Sequence, residues 1–123
     1  MTDSDLARLV DDYLSSASDP NPRMVGVTIV WERDEPGFGA KHIADLHGVT
    51  EAEVEQVLLE VPPYVEAKRH SDMPNRTLFW GATRLDRWLF IVCQDWTESG
   101  VRHLMPITAF EPKEGVKYWE RFK

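Results

Sequence analysis

RTLFWGA (76–82), RWLFIVCQD (87–95) and VRHLMPITA (101–109) follow one another with only four and five residues between them. Each run is rich in β-branched and aromatic residues, and Leu89, Ile91 and Cys93 alternate with residues of the opposite face, the period of a strand. A shorter run, YVEAKR (64–69), precedes them. The separators are Ser71-Asp72-Met73-Pro74-Asn75, Arg84-Leu85-Asp86 and Thr97-Glu98-Ser99-Gly100, and segments this short make hairpins rather than crossovers. The spacing therefore predicts an antiparallel meander from residue 64 to 109. Pro106 has no N–H to give a ladder, so an edge or a bulge is expected there.

Working outward, Thr50 with Glu53 three residues later is a capping-box signature for a helix to about Glu60. Val54, Val57 and Leu58 form its apolar face, and Pro62 and Pro63 end it. Residues 39–47 predict a second short helix, with Ile43 and Leu46 inward and Gly48 as its stop. Before it, Met24 to Trp31 reads as a strand. At the N-terminus, residues 3–17 place Leu6, Leu9, Val10, Tyr13 and Leu14 at helical spacing. Ser18-Asp19-Pro20-Asn21-Pro22 breaks that helix and serves as a linker. After the strands, Glu111-Pro112 opens a terminal helix with Val116, Tyr118, Trp119 and Phe122 for packing. The expected organisation is an N-terminal helix and Pro-containing linker over 1–22, then one domain over 23–123. The class is α+β, a meander sheet with helices packed on it.

At 123 residues with 42% apolar side chains, the chain has enough apolar content for one folded domain. Its longest uncharged apolar run, Trp88 to Cys93, cannot span a bilayer. The opening Thr2-Asp3-Ser4-Asp5 lacks the basic start of a secretory signal. A cytoplasmic protein with no membrane partner is the expectation. Net charge is −7, but unevenly spread. Residues 1–65 carry four basic and thirteen acidic groups (−9), and residues 66–123 carry ten and eight (+2). The acidic half repels phosphate, and the second half leaves room for a basic patch.

Most catalytic signatures are missing. The histidines, His42, His47, His70 and His103, show no zinc pattern, and His42 and His47 are five apart, off one helix face. As a structural residue, His47 would sit as a cation at a helix C-terminus. No phosphate-binding glycine cluster follows a strand. Cys93, the single cysteine, lies in an apolar strand where burial keeps a thiol protonated. No metal or cofactor is expected. Of the tryptophans, most suit the core, while Trp80 and Trp88 flank a turn with room for partial exposure.

The informative side chains are the basic ones on strands: Lys68, Arg69, His70, Arg76, Arg87, Arg102 and His103. Metal-independent RNA cleavage needs a base for the ribose 2′-hydroxyl, a cation for the phosphorane and an acid for the leaving oxygen. Histidine suits both proton roles. Solvated sheet faces carry the same residue types for no catalytic reason.

The order of elements and several strings resemble the BrnT-type toxins of type II toxin–antitoxin systems, ribonucleases with a RelE-like fold. The strings are Trp31-Glu32, Leu46-His47-Gly48-Val49-Thr50-Glu51-Ala52, Arg76 to Gly81, Leu89-Phe90-Ile91-Val92, and Arg102 to Ala109 followed by Tyr118. The resemblance covers about residues 28–120. Two positions depart from it. Thr108-Ala109-Phe110 stands where Ser-Ala-Arg is usual, and Leu46 stands where a lysine precedes the His-Gly pair. The resemblance implies a metal-independent endoribonuclease whose partners are RNA and a cognate antitoxin, with a homodimer possible. His47, Arg76 and Arg102 are the expected catalytic residues, and Arg69, His70 and His103 the expected substrate-binding ones. The gripping of one phosphate by Arg76 and Arg102 requires that the two share a sheet face. The competing expectation is a non-catalytic protein–protein interaction module on the same scaffold. A third, a small-molecule binder built on the tryptophans, has less behind it.

Overall fold

The structure is a computed structural model that describes residues 26–60, 65–68 and 75–111. The proposed N-terminal helix and linker of 1–22, the terminal helix after Pro112, and Arg69 and His70 lie outside the described residues.

The elements are β1 (Val27–Ile29), α1 (Ala40–His47), α2 (Glu51–Glu55), which runs on as a π-helical turn (Gln56–Glu60), then β2 (Val65–Lys68), β3 (Arg76–Ala82), β4 (Trp88–Glu98) and β5 (Val101–Phe110). The fold is α+β. Strands β2 to β5 pair antiparallel in sequence order, as the short turns require. β1 then adds to the far side of β5 in parallel, so the sheet is mixed, in the order β1-β5-β4-β3-β2. The meander expected over 64–109 is antiparallel throughout, and the pairing of β1, which the sequence left open, is parallel: two helices and three strands separate β1 from β5, which leaves ample chain for such a return.

Turn chemistry explains the joints. Ser99 and Gly100 both have positive φ (53° and 77°), the conformation of a two-residue hairpin whose twist matches its strands. Between β3 and β4, Asp86 takes φ 63° while Thr83 and Arg87 close the loop through a 2.9 Å backbone bond. Thr50 and Glu53 form the capping box reciprocally, and Gly48 ends α1 in the left-handed conformation.

One face of the sheet carries Phe79, Leu89, Ile91, Cys93, Leu104 and Ala109, packed against Ile43, Val49, Val54, Val57 and Leu58. The helices thus cover this face, with Val27, Ile29 and Trp31 at its margin. Leu46 points to solvent instead (63% exposed), because Ile43 alone supplies the inward contact of a two-turn helix. The second face is apolar too, with Leu78, Trp80, Phe90 and Val92 buried. Trp80 is fully buried, against the expected partial exposure, because its ring stacks on Phe90 at 4.1 Å and leans on Trp88 at 5.3 Å. Trp88 itself is half-buried.

Pro106 falls at a bulge. Val92 pairs with Thr108 and Cys93 with Pro106, so Ile107 is the extra residue on β5. Beyond Leu104 the edge of β5 passes from β1 to the start of α1, where the Gly39 N–H donates to the Ile107 carbonyl at 2.9 Å. That bond sets α1 along the sheet edge.

Candidate functional site

The expected grouping of basic residues divides between two faces. Register puts Arg102 opposite Thr97 on β4 and beside Val27 on β1, on the helix-covered face. Arg76 pairs with Gln94, and His103 with Trp96, on the other face. Arg76 and Arg102 therefore do not converge on one phosphate, which corrects the shared-face expectation. Residue types at strand positions carry no face until register is fixed, and here the two parities differ.

Arg102 is also occupied. Its Nε and Nη2 donate to Asp95 at 3.0 and 2.6 Å, and Nη2 and Nη1 to Glu66 at 2.5 and 3.3 Å. Four of five guanidinium N–H groups are thus given to carboxylates. The hydrogen bond with Asp95 pushes the Arg102 pKa up, against the opposing pull of burial. Thr77 Oγ1 adds a bond to Asp95 at 2.8 Å, and the guanidinium carbon lies 5.5 Å from the Phe79 ring centre. The cluster lines an open polar cavity of about 470 Å³, together with Asn75, Trp96 and Thr97. With two carboxylates turned toward its cation, this cavity does not offer a phosphate a free positive charge. The His103 ring stacks on Trp96 at 5.4 Å and its Nδ1 meets the Val101 carbonyl at 2.9 Å.

A second grouping was not visible in the sequence. On α1, the ring of His42 in the first turn and that of His47 in the last stand edge to face with centroids 5.4 Å apart. Their spacing of five predicts separate faces. Helical side chains lean toward the N-terminus, however, so His47 in the last turn reaches back over the residues before it. β5 meets them from the side: Thr108 Oγ1 is 3.4 Å from His42 Nε2, and the Phe110 ring is 6.0 Å from His47. Both histidines are half-buried. Burial, and then the charge of His42, lower the His47 pKa from its ordinary value. The neutral imidazole is favoured, which corrects the picture of His47 as a cation serving the helix dipole.

Arg87 borders the C-terminal end of α1. Its Nη1 donates to the Gly48 carbonyl at 3.1 Å and to Glu53 at 2.9 Å, and its Nε lies 3.5 Å from Glu111. On Glu53, burial raises the pKa, but the bonds from Arg87 and Thr50 outweigh it and the net shift is downward. Among the described residues no three His, Cys, Asp or Glu side chains gather as metal ligands. Among the described residues, the two imidazoles thus lack the third protein ligand that a zinc site needs. Cys93 is buried, and burial drives its thiol pKa well up, so it is not a nucleophile.

No protein-family model and no curated protein matches the chain. Among the described residues, no helix is long and apolar enough to cross a membrane.

Proposed function

We propose that the protein is a BrnT-like toxin of a type II toxin–antitoxin pair, a metal-independent endoribonuclease that a cognate antitoxin holds inactive. One observation carries this reading. His47, from one string that resembles that family, meets the end of β5, where the resembling run Arg102 to Ala109 gives way to the departing Phe110, although the two are far apart in the chain. The edge holds two imidazoles, and cleavage through the ribose 2′-hydroxyl needs one base and one acid. Of the expected catalytic residues this site retains His47. Arg76 lies two strands from Thr108 (about 10 Å across the sheet), and Arg102 serves the Asp95–Glu66 cluster.

A second reading has its own observation. Arg102 is neutralised and Phe110 leaves no cation at the end of β5, which suits a non-catalytic protein–protein module on the same scaffold. Incubating purified full-length protein with labelled single-stranded RNA separates the two. The nuclease reading expects cleavage that survives EDTA, falls a hundredfold or more in His47→Ala, and accompanies growth arrest on induction. Intact RNA and harmless expression would hand the assignment to the interaction module.

A further inference from the structure

The second face of the sheet ends, near the β4–β5 turn, in a patch that the histidine pair of α1 does not use. We propose that Trp96 and His103 form a stacking platform for an unpaired base of single-stranded RNA, with Arg76 holding the neighbouring phosphate. The inference rests on the reading of RNA as the ligand and adds a binding surface apart from the α1–β5 edge.

Register builds the patch. Trp96 on β4 pairs with His103 on β5, and two residues back along β4, Gln94 pairs with Arg76 on one side and Met105 on the other. All five share the face of Trp80 and Phe90, because residues two apart on a strand point the same way. Farther along that face Leu78, Trp80, Phe90 and Val92 are buried, whereas these five are half-buried, so solvent reaches the sheet here. Arg76 stands diagonal to Trp96, a separation of about 7–8 Å between backbones that a long side chain covers.

Two observations point to a nucleic acid. The Trp96 and His103 rings are nearly parallel, with 17° between planes and centroids 5.4 Å apart. His103 Nδ1 is bonded to the Val101 carbonyl at 2.9 Å, so its ring is set before any ligand arrives, and the face of each ring turned away from the pair can take a third ring. Every base has a π-face, so such a surface accepts unpaired bases with little regard to sequence. Arg76 supplies the charge. Of the five described arginines, Arg33, Arg84, Arg87 and Arg102 hold carboxylates and Arg76 holds none. A half-buried guanidinium without a counter-ion, beside an aromatic pair, suits the phosphate next to a stacked base. Among the described residues of β4 and β5, Glu98 at the exposed hairpin tip is the one carboxylate on this face, since Asp95 is turned to Arg102 on the other.

The test is fluorescence anisotropy of the full-length protein with a fluorescein-labelled 2′-methoxy oligouridine, which has no 2′-hydroxyl to be cleaved. Trp96→Leu should bind about tenfold more weakly than wild type, with an unchanged salt dependence, and Trp96→Phe should stay close to wild type. Arg76→Gln should lower the slope of log affinity on log salt by about 0.7, one single-strand phosphate contact. Abasic sites in place of the bases should weaken wild-type binding and erase its advantage over Trp96→Leu. Unchanged affinity in Trp96→Leu, an unchanged slope in Arg76→Gln, or indifference of wild type to abasic sites overturns the platform. Displacement of the oligonucleotide by poly-glutamate as readily as by unlabelled oligouridine overturns it in favour of an acidic protein segment on the same patch. Cleavage of ordinary RNA is scored separately. Cutting by wild type without these binding effects leaves the nuclease standing and sinks the platform, and binding as expected without cutting does the reverse. A wild type that neither binds nor cuts RNA overturns both.

Discussion

Replacing Arg102 with methionine separates a structural from a phosphate-binding role. The side chain joins β5 to β2 across two intervening strands, through Asp95 and Glu66. Its partners are mostly enclosed: side-chain exposures are 27% for Arg102, 20% for Glu66 and 12% for Asp95. Exposed ion pairs contribute about 0–1 kcal/mol, and breaking a buried one costs about 3–5 kcal/mol. This cluster lies between, at about 2–3 kcal/mol, since two carboxylates lose their shared cation. For a domain of this size, 1 kcal/mol moves Tm by about 4–8 °C, so Arg102→Met should melt about 10–20 °C lower. A double-mutant cycle with Glu66→Gln should return a coupling of about 1 kcal/mol or more, because the pair is in direct contact. At a temperature where both variants are folded, RNA affinity and its salt dependence should match wild type. A Tm within 2 °C of wild type, together with a salt slope reduced by about one phosphate contact, would refute the structural assignment.

Four further outcomes follow from local geometry. Gly39 has φ 87° and an added Cβ would collide with the Glu32 carbonyl oxygen, whereas Gly48 has φ 63° and open space around it. By differential scanning calorimetry Gly39→Ala should cost several times more than Gly48→Ala, whose penalty is about 1 kcal/mol. Thr50→Ala should lose about 1–2 kcal/mol in urea unfolding, since it removes the cap that accepts from the Glu53 N–H at 3.1 Å. The lowered Glu53 pKa means that its bond to Arg87 stabilises above the unfolded-state value of about 4.5 and is lost as pH falls through the folded value; wild type should therefore lose more Tm between pH 6 and pH 3 than Glu53→Gln does. The lowered His47 pKa has the matching sense for a base: the unfolded chain binds the proton more readily, so stability drops as pH falls below about 6.5, and His47→Gln should flatten Tm between pH 7 and pH 5.

What could be read from the sequence was what is decided locally. The capping box at Thr50, the stop at Gly48 and the paired turn residues Ser99 and Gly100 act within four residues, so composition alone places them. Strand β3 matches its expected limits of 76–82, and α1 begins one residue inside the expected 39–47. Partners chosen over long distances were not legible. Nothing near Val27 announces that it will lie beside Arg102. Nothing near Arg102 announces Glu66 and Asp95, because carboxylates at 66 and 95 become neighbours only after two hairpins close. The alternation of Leu89, Ile91 and Cys93 does identify a core face, and through the β3–β4 register it would put Arg76 on the other one. That step needed the turn length at Thr83–Arg87, which the residues there leave open between several loop types.

The bulge at Pro106 decides which residues meet in the candidate site. Before it, even-numbered residues of β5 face the helices, as Arg102 and Leu104 do; after it, odd-numbered ones do, as Ala109 does. Without the extra residue Ile107, Thr108 and Phe110 would share the face of Arg102. With it, they turn out of that face and meet His42 and His47 of α1, which runs along the edge of β5. The same bulge leaves the Ile107 carbonyl to accept from Gly39, and that bond holds the start of α1 where His42 of its first turn reaches Thr108 and His47 of its last turn reaches Phe110. One proline, which cannot complete a ladder, therefore separates the Arg102 cluster from the histidine pair. The first becomes a clamp between strands, and the second lies where α1 runs along the edge of β5.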